Sequence, residues 1–225
     1  MHINCLLFPK FTQLDLTGPF EVLSRVPDIT ISLVGASMEP VQSDSGLSIL
    51  PTTTLSQAKP CDFLLIPGGP GIDDIILEEE WVTFTQEQTK TAHLVAGICT
   101  GSLLLGAAGV LIGKKATSHW FARDLLVHFR AEICEERCCR DGNIFTAGGV
   151  TSGIDLALQI VAILYGEGLA KQIQLQLEYD PAPPFKGGTP RTSEPEIVQK
   201  CREVSQHRLQ IRTLAVKKAA QRLFS

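Results

Sequence analysis

No stretch of this sequence is apolar for long enough to cross a lipid bilayer, which takes about 20 consecutive apolar residues. Residues 1–9 have neither a charged lead nor a small-residue cleavage site, so we expect a first strand there instead of a secretory leader. The net charge is −4, without the excess of lysine and arginine that general nucleic-acid binders carry. The sequence therefore predicts a protein that contacts neither membrane nor nucleic acid.

Motifs for nucleotide phosphates and structural metals are also missing. Residues 67–71 read Pro-Gly-Gly-Pro-Gly, but no Lys-Ser/Thr pair follows them and no G-x-G-x-x-G motif is present. Cys134, Cys138 and Cys139 lie close together, yet no second Cys/His cluster completes a tetrahedral metal site, and we interpret them as incidental. The seven cysteines are scattered and odd in number, which favours reduced thiols in a cytoplasmic protein.

Strand-like apolar runs alternate with helical runs along most of the chain. Residues 3–8 and 63–66 are continuous apolar strands, and residues 20–26, 81–91, 119–129 and 152–165 are expected to be helices. We expect the first of these helices to start near Pro19, with Thr17 and Gly18 as caps. Buried strands separated by helices indicate a mostly parallel sheet covered on both faces. At 44% hydrophobic residues, the chain can build such a core.

The sequence changes character at residue 179. Residues 179–190 contain four prolines and two adjacent glycines, and residues 194–224 then return to helical periodicity. We divide the chain into an α/β domain, 1–178, and a proline-rich tether with a C-terminal helix, 179–225. The segment from Lys186 onward contains nine basic and three acidic residues, so this helix could touch nucleic acid or an acidic surface. Its apolar side instead favours packing on the body or on a second subunit. That side is predicted to hold Ile197, Cys201, Val204, Leu209, Leu214 and Leu223.

The pentapeptide Gly97-Ile98-Cys99-Thr100-Gly101 follows an apolar run and precedes a helical one. That order is typical of a nucleophile elbow, the G-x-S-x-G turn, with cysteine in place of serine. The flanking glycines permit a sharp turn, and the following helix would point its positive end at residue 99. We therefore predict a thiol that ionises more easily than a free one. The alternative is a buried cysteine at an ordinary strand–helix junction.

Asp15 is the candidate acid–base partner of Cys99. In a parallel sheet the segments that follow strand ends meet at one edge, which brings residues 13–18, 66–71 and the Cys99 elbow together. Asp15 lies between two leucines, so burial would raise its pKa and let it share a proton with the thiol. The alternative is a carboxylate that caps the helix starting at Pro19.

Two further groups are candidates for binding or proton transfer. The N–H groups of Gly69 and Thr100 could form a donor pair for developing negative charge, unless the loop simply requires glycine. His119 could act as a base in a Cys–His pair, although we favour a packed histidine with one satisfied nitrogen.

These motifs carry a family resemblance. Leu64–Gly69, the Cys99 elbow and Ala116–His119 resemble the PfpI-type superfamily, within the class I glutamine amidotransferase-like fold. The chain is closer to its isocyanide hydratase branch at Gln13–Pro19, Ile98–Leu103, Gly106–Gly109 and Leu175–Phe185. Superfamily proteases and deglycases have a histidine after the nucleophile and usually a glutamate partner; this chain has Thr100 and Asp15, as the hydratases do.

The resemblance implies a flavodoxin-like three-layer sandwich with a mostly parallel central sheet, a nucleophile elbow and a C-terminal helical extension. It implies water addition to an isocyanide, giving an N-substituted formamide through a Cys99 thioimidate, with Asp15 managing the proton and Thr100 binding substrate. Gly69 and, more weakly, His119 would assist substrate binding. No metal ion or other cofactor is implied. The partners would be a small-molecule substrate, in an apolar pocket, and a second copy of the chain in a homodimer.

Two other functions stay open. The elbow and residues 117–120 also resemble the sensor domains of some AraC-type regulators, which bind a small molecule without catalysis. Too few residues follow Tyr179 for the paired DNA-binding motifs of such regulators. Glyoxalase or amidase chemistry on carbonyls is the other alternative, and Thr100 in place of histidine argues against the amidase.

Overall fold

A mixed sheet runs through the centre of the protein, whose computed structural model describes residues 1–225. Seven strands form it: β1 (His2–Leu6), β2 (Thr30–Gly35), β5 (Thr53–Thr54), β6 (Phe63–Ile66), β7 (Leu94–Ile98), β10 (Cys138–Asp141) and β11 (Ile144–Ala147). Their order is β10-β11-β7-β6-β1-β2-β5. Every neighbouring pair is parallel except β10 with β11. Two small pairs complete the strands: β3 (Val41–Gln42) with β4 (Ser48–Ile49), and β8 (Lys115–Ala116) with β9 (Glu132–Ile133).

Helices cover both faces of this sheet. They are α1 (Gln13–Leu23), α2 (Ile72–Ile75), α3 (Glu79–Thr91), α4 (Gly101–Ala107), α5 (Ser152–Tyr165), α6 (Glu167–Gln176) and α7 (Pro195–Leu223), with a 3-10 helix at Arg123–Phe129. Helix α5 contacts both α1 and α6 in one group, and in a second group α2 and α4 contact each other, α3 and α7. This arrangement is the predicted three-layer α/β sandwich. No helix is both long enough and apolar enough to cross a bilayer.

The central strands are buried because both of their faces are covered. Every residue of β6 and β7 is buried, and so is every residue of β11. Continuous apolar runs at 63–66 and 94–98 are therefore the sequence pattern that a doubly covered parallel strand requires. Their register places Ile66 opposite Gly97, which brings the loop after β6 beside the turn after β7.

Most predicted elements are confirmed, and two boundaries were wrong. Helix α1 begins at Gln13, not near Pro19, so Thr17, Gly18 and Pro19 lie inside it. Pro19 is the seventh residue of the helix, beyond the first turn, so it removes one i−4 hydrogen bond, a cost that the packing of α1 on α5 offsets. The predicted helix over 119–129 is a 3-10 helix that starts only at Arg123. The first correction changes the site, because it places Asp15 in the opening turn of a helix instead of in a loop.

Helix α7 lies on the body through its C-terminal half. Ala215, Val216, Ala219 and Ala220 are buried there, together with Arg212. The predicted apolar side is not the docked side: Ile197 and Val204 are exposed, as are Cys201 and Leu214, whereas Leu209 and Leu223 are partly buried. Small alanines let the helix approach closely, and the larger apolar side chains face outward. The division at residue 179 stays a prediction.

Candidate active site

Cys99 occupies a backbone conformation that few side chains adopt. It follows β7 directly and has a φ of 54°, in the left-handed region. A non-glycine residue held there costs about 1–2 kcal/mol. The glycine at position 101 is required by contact, because a Cβ on it would lie 2.2 Å from the carbonyl oxygen of Ile66. The predicted elbow is therefore a sharp turn pressed against the neighbouring strand end.

Three hydrogen bonds hold this strained residue in place. The N–H of Cys99 donates to the carbonyl oxygen of Ala147 at 3.0 Å. Its own carbonyl oxygen accepts from the hydroxyls of Ser118, at 2.8 Å, and Ser102, at 3.2 Å. Both serines are buried. Sequence reasoning did not assign them this task, since a serine that supports a main-chain oxygen has no motif of its own.

Asp15 reaches the site from the first turn of α1 and is fully buried. Its Oδ2 accepts the N–H of Gly68 at 2.9 Å, whereas its Oδ1 has no hydrogen-bond partner. The carboxyl is thus not a helix cap, which was the alternative interpretation. Burial raises the pKa of Asp15 to about 7, against the lowering effects of the Gly68 N–H and the Cys99 thiol. A carboxyl with that pKa can accept and release a proton near neutral pH.

The thiol of Cys99 does not ionise easily, and the expectation that it would was wrong in direction. Burial raises its pKa well above the ordinary value, and the negative charge of Asp15 raises it further. The N–H of Thr100 and the cation of Arg212 lower the pKa, as a helix N-terminus should, but they are outweighed. The resting pair therefore keeps one proton on sulfur, beside a carboxylate able to remove it.

Gly69 and Thr100 form hydrogen bonds with each other. The Gly69 N–H donates to Thr100 Oγ1 at 2.9 Å, and the Thr100 hydroxyl lies 3.2 Å from the Gly69 carbonyl oxygen, to which it donates. The Gly69 N–H is therefore already hydrogen-bonded. It could donate to a bound substrate, as predicted, only if the Thr100 hydroxyl moved away from it. A Cβ on Gly68 would lie 2.5 Å from the Thr100 nitrogen and 2.8 Å from Asp15 Oδ2. Only glycine at position 68 lets the carboxyl and the elbow meet.

His119 lies in the same cavity as Cys99. Its Nδ1 accepts the N–H of Phe121 at 3.3 Å, so in the neutral ring the proton is on Nε2. Burial lowers the pKa of His119 to about 4, and the nearby cation of Arg212 lowers it as well. A neutral ring with so low a pKa is a weak base, which agrees with the interpretation of a packed histidine.

A cavity of about 360 Å³ opens above the thiol. Phe121, Val150 and Leu209 supply apolar surface, so one side of the predicted apolar pocket is present. The rest of the lining is more polar than expected, because Asp44 and two arginines face the same space. The full lining is Thr12, Asp44, Gly69, Pro70, Cys99, Thr100, His119, Phe121, Val150, Ser205, Arg208, Leu209 and Arg212.

Helix α7 forms one side of this cavity. Arg212 is 8% exposed, and its Nε donates to Asp73 Oδ1 at 2.6 Å. Arg208 lies one turn earlier, half exposed, 3.7 Å from the other oxygen of Asp73. From the sequence, this helix was expected to pack on the body or a second subunit, or to touch nucleic acid or an acidic surface, but not to line the site. The sequence signal for this role is that Arg208 and Arg212 lie four residues apart, hence on one face of the helix, among apolar neighbours.

The chain is similar to proteins of a known family. The model of the DJ-1/PfpI family matches residues 1–163. The isonitrile hydratase of Pseudomonas putida is 44% identical over 223 residues, which cover 99% of this chain and 98% of that protein. The HTH-type transcriptional regulator GbdR of Pseudomonas aeruginosa is 28% identical over 189 residues, but only half of its length is covered.

A solved structure agrees with these sequence matches. A ThiJ/PfpI family protein from Pseudomonas syringae superimposes with a TM-score of 0.93 at 36% identity, covering 96% of this chain and 90% of that one. The superposition therefore extends beyond the residues that the family model matches. The fold, the elbow and the full-length similarity agree, and the chain belongs to the DJ-1/PfpI family.

Proposed function

We propose that this protein hydrates isocyanides, also called isonitriles, to N-substituted formamides, with Cys99 as the nucleophile and Asp15 as its proton acceptor and donor. The observation that supports this most strongly is the buried pair of one thiol and one carboxyl beneath an open cavity. Asp15, with a pKa of about 7, can hold or release a proton there, whereas His119 is a weak base. The 44% identity to an isonitrile hydratase over nearly the whole chain agrees with it.

The first step adds the thiol across the terminal carbon of the substrate R–N≡C. The carboxylate of Asp15 takes the proton of Cys99 while the sulfur forms a bond to that carbon. Asp15 then returns the proton to the same carbon, which gives the neutral thioimidate R–N=CH–S–Cys99. No free thiolate has to persist, which suits a thiol whose pKa burial keeps high.

The second step releases the product. Water adds to the thioimidate carbon, its oxygen bonding to carbon and one proton reaching nitrogen through Asp15. The carbon–sulfur bond then breaks, and the hydroxyl proton passes to sulfur, leaving R–NH–CHO and the original thiol. Thr100, which lines the cavity beside the elbow, would bind the substrate or intermediate, with Gly69 and His119 as further contacts.

The test is formamide production from an aryl and an alkyl isocyanide, followed by ultraviolet absorbance and mass spectrometry. Cys99→Ala should abolish turnover, while Cys201→Ala, at an exposed position on α7, should match the wild type. Rapid quenching should show a protein mass raised by one substrate molecule, attached at Cys99. Turnover by Cys99→Ala at the wild-type rate would contradict the mechanism.

A ligand sensor is the second candidate, favoured by the similarity to a transcriptional regulator over 79% of this chain. It predicts saturable binding of isocyanides or related small molecules with no formamide formed. The same assay, with binding measured by calorimetry, separates the two functions.

We also propose that the protein is a cytoplasmic homodimer. The free state of all seven cysteines supports a reducing compartment. The exposed Ile197, Val204 and Ile211 on α7, spaced seven residues apart, form an apolar stripe that a second copy would cover. Light scattering should give twice the chain mass, and Val204→Glu should shift it toward the monomer. A wild-type monomer at micromolar concentration would contradict the homodimer.

A further inference from the structure

Arg212 on the cavity wall makes a hydrogen bond in addition to the ion pair with Asp73 that anchors α7. Its guanidinium binds both oxygens of Asp73, at 2.6 and 3.4 Å, and Nη2 also donates to the Gly69 carbonyl oxygen at 3.4 Å. That oxygen accepts the Thr100 hydroxyl as well. A continuous chain of hydrogen bonds thus runs from α7, through the Gly69 peptide, to the residue that follows the nucleophile.

The Gly69 peptide needs such a support. Gly69 has a φ of 135°, a conformation that glycine enters and leaves without steric penalty. The N–H of this residue donates to Thr100 Oγ1, and rotation of the peptide that follows it, Gly69–Pro70, would remove the second bond, from the Thr100 hydroxyl to the Gly69 carbonyl oxygen. Thr12, whose N–H binds the Gly68 carbonyl oxygen at 2.8 Å, holds the Gly68–Gly69 peptide. The carbonyl oxygen of the next peptide, Gly69–Pro70, accepts the main-chain N–H of Ile72 at 3.3 Å, and its side-chain donors are Thr100 and Arg212.

We propose that Arg212 is a positioning residue of the catalytic site: it fixes the Gly69–Thr100 hydrogen bonds and places a permanent positive charge beside the Cys99 sulfur. The turnover part of this proposal rests on the proposed function; the charge part does not. In this arrangement the terminal helix supplies part of the reaction machinery, and Asp73 orients the arginine through a two-oxygen ion pair.

The electrostatic surroundings agree with this assignment. Arg212 is the cation that lowers the pKa of Cys99 and also that of His119. The other charged groups around the cavity are Asp15 from α1, Asp44 from the β3–β4 turn, and Arg208 and Asp73, which face each other. Arg208 is half exposed, so solvent screens its field, whereas Arg212 is buried.

Two variants separate the charge from the geometry. Arg212→Met removes both, whereas Arg212→Lys keeps the charge but cannot bind Asp73 and Gly69 with a planar fork. The matched control is Arg222→Met, an arginine of the same helix that donates to the main-chain oxygen of Leu77, away from the cavity. Thermal unfolding of each variant shows whether α7 remains docked.

The readouts are alkylation of Cys99 by iodoacetamide from pH 6 to 10, quantified on the Cys99 peptide, and steady-state kinetics with an aryl isocyanide. Arg212→Met should move the alkylation profile up by about one pH unit, making modification roughly tenfold slower at pH 8. Its kcat should fall at least about tenfold, with a smaller change in KM. Arg212→Lys should restore the alkylation profile but not kcat.

Asp73→Asn provides a test with the opposite sign. It leaves Arg212 in place but removes its counter-charge, so alkylation should move to lower pH. Loosened packing would also lower the thiol pKa, because burial is what raises it, so the upward shift in Arg212→Met is the result that packing alone would not produce. The proposal is overturned if Arg212→Met and Arg222→Met both keep the wild-type alkylation profile and kcat, or if Asp73→Asn moves the profile upward. Alkylation of Cys99 requires no isocyanide. The proposed effect of the Arg212 charge can therefore be tested even if the protein does not hydrate isocyanides.

Discussion

The two sides of the cavity are built in different ways. The strand-end wall consists of Gly69, Cys99 and Thr100, with Asp15 behind them, and it follows directly from the order of β1, β6 and β7. The helix wall consists of Ser205, Arg208, Leu209 and Arg212, all on one segment far away in sequence. Hydrogen bonds lock the first wall internally, whereas the buried polar anchor of the second is the pair of Arg212 with Asp73.

This difference separates two tasks. On the strand-end wall a displacement of less than an ångström breaks a contact, so its residues suit bond making and proton transfer. On the helix wall the side chains are half exposed except for Arg212, so they suit binding of the variable part of a substrate. Chemistry should therefore fail when the first wall is altered, and substrate preference should change when the second is.

The largest effect is expected for Asp15→Asn. Turnover should fall by about 10²–10⁴, because the proton acceptor is lost. Alkylation of Cys99 should become faster at pH 8, since the carboxylate charge that raises the thiol pKa is gone. Parallel measurements of kcat and alkylation check this. A fall in both rates would show that Asp15 acts through structure, and the contrast between the walls would lose its chemical basis.

Gly68→Ala should come next. The added Cβ meets the Thr100 nitrogen and Asp15 Oδ2 below 3.0 Å, so the elbow or α1 has to shift. We expect a loss of about 1–3 kcal/mol in unfolding free energy and a kcat at least tenfold lower. Gly168→Ala, with open space around it, is the control and should be neutral or slightly stabilising. Wild-type kcat in Gly68→Ala would show that the strand-end wall tolerates displacement.

The buried carboxyl also predicts how stability depends on pH. The folded-state pKa of Asp15 is about 7, above its ordinary 3.8, so between these values the folded protein binds more protons than the unfolded chain. Stability contributed at low pH is therefore lost as the pH rises toward 7. Chemical denaturation of Asp15→Asn, relative to wild type, should gain about 2–3 kcal/mol between pH 5 and pH 8. Asp124→Asn, at an exposed position, should show no such gain.

The smallest effect is expected on the helix wall. Leu209→Ala removes part of the apolar lining and should raise KM for an aryl isocyanide about fivefold, from roughly 1 kcal/mol of lost contact, with kcat within twofold. Ser205→Ala should change neither constant by more than about twofold. If Leu209→Ala lowered kcat as strongly as Gly68→Ala, the two walls would not divide the work as described.

Sequence reasoning succeeded where local pattern and topology act together. Residues 3–8, residues 63–66 and the apolar run before the elbow read as strands, and parallel strands must end at the same edge. Their pattern alone therefore predicts that Asp15, Gly69 and Cys99 lie together. The start of α1 was missed because glycine and proline normally argue against a helix interior. Here packing on α5 overrides that preference, since Ile154 fills the space beside Gly18.

Two features of the site lay beyond sequence reasoning, for physical reasons. Burial raises the pKa of Cys99, whereas the Thr100 N–H and Arg212 lower it. The elbow motif indicates only the lowering effect of the helix N-terminus, so the sequence could not show that burial outweighs it. The position of Arg212 depends on how α7 lies across the body, a packing that periodicity does not orient. The outward-facing Val204 and Leu214 illustrate this, since the apolar stripe identified the helix but not its docked side.

Because α7 is one uninterrupted segment, its cavity-facing positions 205 and 209 can vary while the nucleophile and its carboxyl stay untouched. Exchange of these positions between relatives would then alter which isocyanides are accepted without rebuilding the reaction centre. Substrate specificity could therefore change, in evolution or by design, through substitutions on α7 alone.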